Sequence, residues 1–214
     1  MGKVENVWNE NIVTILRIAL FAMFSLLSYK ILGLVTMLFE ELFPSFLGVM
    51  SELNTPLLFG SKVSLDILGF LFPLAISIVF ALKAIATHTS NGNRFFRYSI
   101  IILIVVLILD TLYTMLSGNQ LKPIYKNGGG PNIPALIVVP GFAGLWVAMD
   151  IRKIGPLISY IFGFLVGVVS DVESIPYLTK PTVFGGFGIL DLDFAFPIIM
   201  YLSFRLALKI SSKF

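Results

Sequence analysis

The sequence predicts an all-α membrane protein, a polytopic helix bundle of about six transmembrane helices with both termini cytoplasmic. Three observations predict it. Of the 214 residues, 57% are hydrophobic and only 13% are charged, whereas a soluble domain carries about a quarter charged residues. Mean hydropathy is +0.94, too high for a chain of this length to cover a water-facing surface. Apolar runs also recur along the chain, each near the roughly 20 residues that cross a bilayer as a helix. Residues 1–214 are therefore expected to form a single transmembrane domain of the cell membrane, with the lipid bilayer as its first partner.

Helices are expected over residues 11–38, 64–86, 95–117, 133–150, 154–171 and 182–207. The stretch MGKVENVWNEN places Glu5 and Glu10 ahead of the first span and reads as a polar tail, not a cleaved signal. Residues 43–60 are apolar but broken by Pro44 and Pro56, which fits an interfacial helix or a re-entrant segment. The fourth span holds Pro134, Pro140, Gly141 and Gly144, residues that bend a helix or let a neighbour approach closely. Only the turn from Asp150 to Lys153 separates it from the fifth.

Basic residues set the expected orientation. With six spans, Lys3 and Arg17, then Lys83, Arg94 and Arg97, then Arg152 and Lys153, then Arg205, Lys209 and Lys213 all fall on one side. The positive-inside rule makes that side, and both termini, cytoplasmic. The net charge of +3 is modest and its basic residues are scattered through loops, so nucleic acid is not an expected partner. Absence of cysteine excludes disulfides, thiolate nucleophiles and Cys-ligated metals. The run NGGGPN at 127–132 lacks the Lys-Ser/Thr of a phosphate-binding loop, and no cofactor is expected.

The chemistry concentrates in TVFGGFGILDLDFAFP, residues 182–197. In a helix starting near Pro181, Asp191 lies about 15 Å deep by helical rise. An ionised aspartate facing lipid there costs at least ~2.5 kcal/mol, so it must face protein or water, or carry a proton. Asp193 lies about 200° round the helix from Asp191, so an intact helix cannot aim both at one point. Gly185, Gly186 and Gly188 weaken the helix, and Pro197 leaves the carbonyl of residue 193 without its donor, so a local break is expected.

The fifth span ends in FLVGVVSDVESIP, with Asp171 at its outer end. Pro176 and Pro181 bracket a short hairpin that makes the fifth and sixth helices neighbours. Convergence of Asp171 and Asp191 is the resulting expectation. Two carboxyls sharing a site divide into one acid and one base. Asp110, beside Thr111, Tyr113 and Thr114, is a further deep acid. The metal question stays open, since oxygen ligands from three or four acids suffice for a hard cation.

The segments SDVESIP and GGFGILDLDFAF resemble the signature of an uncharacterised family of prokaryotic multi-pass membrane proteins with paired aspartates. Asp171, Gly185, Gly186, Gly188 and Asp191 occupy its places. More remotely, the pattern is similar to the presenilin-like intramembrane aspartyl proteases, whose catalytic aspartates lie on adjacent helices. That resemblance implies catalytic roles for Asp171 and Asp191. The chain departs from it where Ile189 and Leu190 separate Gly188 from Asp191, and where Pro134-Ala-Leu136 precedes both aspartates.

Three functions follow as expectations. The first is an intramembrane aspartyl hydrolase acting on a transmembrane peptide through Asp171 and Asp191. The second is a secondary transporter or channel for a proton, cation or small solute, built on Asp191, Asp193 or Asp110 and a glycine-broken helix, and as a small protein requiring a homo-oligomer. The third is a scaffold in which Asp191 serves helix packing alone.

Overall fold

The computed structural model describes residues 2–42, 57–59, 63–87, 154–174, 182–186 and 191–213. The expected spans at 95–117 and 133–150, together with Asp110, Gly188 and most of segment 43–60, lie outside them. The first element, α1 (Gly2–Leu42), is one continuous helix. Arg17, Phe21 and Ser25 are buried at four-residue spacing, so a single narrow stripe of α1 faces the protein. Around it Ile12, Ile15, Met23, Leu26 and Leu27 are exposed, as on a helix bathed in lipid.

Strands β1 (Leu57–Phe59) and β2 (Val63–Leu65) pair antiparallel, and β3 (Thr182–Phe184) joins β2 in parallel, with Val63 opposite Thr182 and Leu65 opposite Phe184. Both parallel strands lead toward helices. After β2 the chain makes a π-helical turn (Ile67–Leu71) that runs into α2 (Phe72–Thr87). After β3 come a Gly185-Gly186 turn and then α4 (Leu192–Ser211). The remaining helix, α3, spans Gly155–Ser174.

Helices α3 and α4 pack antiparallel along a row of small residues. Gly155 lies against the Phe204 ring, Gly163 against the backbone of Pro197, and Gly167 against Asp193. A Cβ at Gly163 would stand 2.7 Å from Pro197 Cα, so only glycine lets the two backbones meet there. Phe80 of α2 packs edge-on against Tyr160 of α3, with ring centroids 5.1 Å apart. Phe21 of α1 meets Phe204 of α4 in the same manner at 5.5 Å. Phe196, Met200 and Phe204 of α4 are fully or almost fully buried, which makes α4 the helix around which the others gather.

These elements correct the predicted fold class. Among the described residues, three helices are long and apolar enough to cross a membrane, with spans Glu10–Ser28, Ile67–Ala86 and Asp193–Ser211. The chain is thus a multi-pass integral protein of the cell membrane, but not the bundle of about six spans. The fifth expected span supplies only a shorter apolar stretch, Gly155–Val168. The sixth begins ten residues later than expected, because residues 182–184 form a strand. A short apolar run such as Thr182-Val183-Phe184 does not reveal its period, and its β-branched residues suit a strand. Assignment of both termini to one side rested on the count of six, and is withdrawn with it.

Candidate functional site

The site grows from two strand ends. Asp66 follows β2 and is 1% exposed. Its backbone N–H donates to the Phe184 carbonyl at 2.9 Å, extending the parallel pairing by one bond. Its carboxylate accepts from the Gly69 N–H at 2.6 Å and caps the π-helical turn. On the adjoining strand, Gly185 turns the chain with φ at +73°, a left-handed conformation that glycine adopts without cost. Gly69 and Gly185 meet backbone to backbone, where a Cβ on either would collide. This pair of glycines presses the turn after β3 onto the start of the α2 segment.

Helix α4 then begins at Asp191. Its backbone is extended, its carboxylate accepts from the Asp193 N–H at 3.0 Å, and its carbonyl accepts from Phe194 and Ala195 at 3.2 and 2.8 Å. Asp191 is therefore the N-cap, a position that favours Asp because its side chain satisfies a first-turn N–H. It is half-buried. The expected depth in mid-bilayer does not hold, since the residue starts the helix and does not lie ten residues within it.

Asp193, at the second helical position, is 0% exposed. Its carboxylate lies across Gly167 of α3, whose missing side chain makes the room. One turn further along α3, Asp171 lies within electrostatic reach of Asp193. The Gly185 backbone N–H faces both, and Asp191 lies within electrostatic reach of both. Among the described residues, no N–H or hydroxyl donor completes a hydrogen bond to either Asp193 oxygen.

Asp171, Asp191, Asp193, Gly185 and Gly186 are thus all drawn to one end of the α3–α4 pair, while Asp110 and Gly188 lie outside the described residues. Asp191 and Asp193 both lie within electrostatic reach of Asp171, and Asp191 also caps α4. No group of three or more His, Cys, Asp or Glu residues suited to a metal ion occurs among the described residues. Asp66, which the sequence reading did not single out as a site residue, is buried by the fold. An aspartate immediately before the apolar run ILGFLFPLAISIVF is an N-cap signature that could have found it.

Comparison with known protein families, with characterised proteins and with solved structures yields no match. What stands is a multi-pass helical membrane protein with buried acidic residues where its helices and small sheet meet.

Proposed function

We propose that the protein is an intramembrane hydrolase of the aspartyl type, with Asp171 and Asp193 as the working pair and Asp191 as the residue that positions Asp193. The observation that carries this reading is Asp193: fully buried, unsatisfied by any protein donor among the described residues, and faced by a second carboxyl from the neighbouring helix. Burying an acid without a donor is costly, and a site that works with a proton and a water is a reason to bear that cost. The substrate class is a peptide segment within or entering the membrane.

In this reading, the ionised carboxyl takes a proton from water as the water oxygen bonds to the peptide carbonyl carbon. The protonated carboxyl gives its proton to the carbonyl oxygen. When the C–N bond breaks, the leaving nitrogen takes the proton of the protonated carboxyl. One hydroxyl of the diol returns its proton to the ionised carboxyl, and the carbonyl re-forms as a carboxylic acid. The two carboxyls end with one proton between them, as they began. Acid and base must be present together, so activity against pH should be bell-shaped.

The test is cleavage of a panel of fluorogenic transmembrane peptides by the purified protein. Asp171→Asn and Asp193→Asn should each abolish cleavage, and Asp191→Asn should keep a substantial part of it, since Asn caps helices nearly as well as Asp. A hydroxyl-bearing mimic of the tetrahedral intermediate should bind wild type and protect it from heat, and fail to protect either inactive variant. Cleavage that survives Asp193→Asn, or proton flux through vesicles that depends on the pair without any cleavage, overturns the reading.

A further inference from the structure

The opposite end of α4 carries a second feature, unrelated to the acid pair. A cavity of about 790 Å³ opens between α1 and α4 where α4 ends, lined by Arg17, Arg205, Lys209 and Ser212 together with Leu202 and Leu206. Arg17 is only 9% exposed. Its Nε donates to Ser211 Oγ at 3.0 Å, and Ser211 Oγ in turn donates to the Leu208 carbonyl at 3.1 Å, so the guanidinium is held in place by the end of α4. That bond uses one of its five N–H donors. Among the described residues, no carboxylate forms an ion pair with Arg17, Arg205 or Lys209.

Two ordinary roles fall short of explaining the trio. A cation in the last turn of a helix offsets the negative end of its dipole, but that effect fades beyond one turn. It accounts for Lys209, and not for Arg205, six residues before the helix ends, nor for Arg17 on another helix. Snorkelling to the interface suits exposed Arg205 and Lys209, and not a buried, fixed Arg17. Three positive charges converging without a counter-charge make a site for an anion, and a guanidinium fork beside an ammonium suits phosphate oxygens. The apolar part of the lining identifies the source. Leu202 and Leu206 are 58% and 42% exposed and continue from the cavity onto the outer face of α4. An occupant that uses both parts has a phosphate at one end and hydrocarbon at the other.

We infer that this cavity binds the headgroup of an anionic phospholipid, the phosphate held by Arg17, Arg205 and Lys209 and the acyl chains laid over Leu202 and Leu206. The bound lipid bridges α1 and α4, so it fastens the first helix to the rest of the bundle.

The probe is the purified full chain in neutral detergent, titrated with phosphatidylglycerol, phosphatidylcholine or inorganic phosphate, with lipid counted on the intact protein by native mass spectrometry and thermal stability followed in parallel. Phosphatidylglycerol should bind at least about tenfold more tightly than phosphatidylcholine, a selectivity of the size that two or three basic residues provide at a membrane surface. The preference should fall to parity in Arg205→Gln/Lys209→Gln, whose side chains are exposed and whose loss leaves the helix packing intact. Arg17→Gln should also lose the preference, and its broken bond to Ser211 is controlled by Ser211→Ala, which should retain it. Equal binding of all lipids, an unchanged preference in the double variant, or saturation by inorganic phosphate with no added effect of lipid overturns the assignment.

Discussion

At the scale of single residues, the acids of this chain have separable roles, and substitutions can tell them apart. Asp191 caps α4 through the Asp193 N–H. Asp191→Ala should therefore lower stability by roughly 1 kcal/mol, with Asp191→Asn close to neutral, as read by thermal unfolding in detergent. Asp66 caps the π-helical turn while fully buried. Asp66→Ala leaves the Gly69 N–H without its acceptor, at a cost of about 1–3 kcal/mol, and Asp66→Asn should recover much of that. Gly185 is constrained twice, by its positive φ and by contact with Gly69. Gly185→Ala should cost at least 1–2 kcal/mol from the backbone conformation alone. Gly186→Ala, whose nearest neighbour is Val183 at 3.1 Å, should be milder.

At the scale of elements, the α3–α4 interface sets the distance between the acids. Gly163 and Gly167 lie one turn apart on α3, yet they contact different things: Pro197 backbone in one case and the Asp193 side chain in the other. Both alanine variants should destabilise the helix pair. Only Gly167→Ala, whose methyl group takes the space of the Asp193 carboxyl, should reduce the proposed hydrolysis by more than its loss of folded protein explains. Comparing specific activity per folded molecule for the two variants checks this. Here the limits of the sequence are also physical. That the acids of residues 171–193 would be drawn into the protein was legible, because a charge in hydrocarbon is costly wherever it falls. That α3 and α4 are neighbours was legible from the short proline-bracketed connection. Which aspartate would face Asp171 was not, because it depends on where α4 begins. Pairing of residues 182–184 with β2, a partner distant in sequence, moves that start from 182 to 192, and nothing local to the segment announces it.

At the scale of the whole molecule, α4 separates two polar ends, the carboxyl pair at its start and the arginine–lysine cavity at its finish. Its span, Asp193–Ser211, is long enough to cross the bilayer, so the two ends should open toward opposite compartments. Because the chain has no cysteine, single introduced thiols report this directly: Gly186→Cys and Lys213→Cys should be labelled by a membrane-impermeant maleimide from opposite sides of sealed vesicles. Labelling of both from one side would show that α4 does not cross. The parallel pairing of Val63 with Thr182 has a consequence in time. At about 5–20 residues per second of synthesis, β2 waits on the order of ten seconds after leaving the ribosome for the strand that will lie beside it. Asp171 and Asp193 likewise stand together only once α4 has been made. A nascent protein in the translocation machinery thus carries no finished acid pair until α4 is in place.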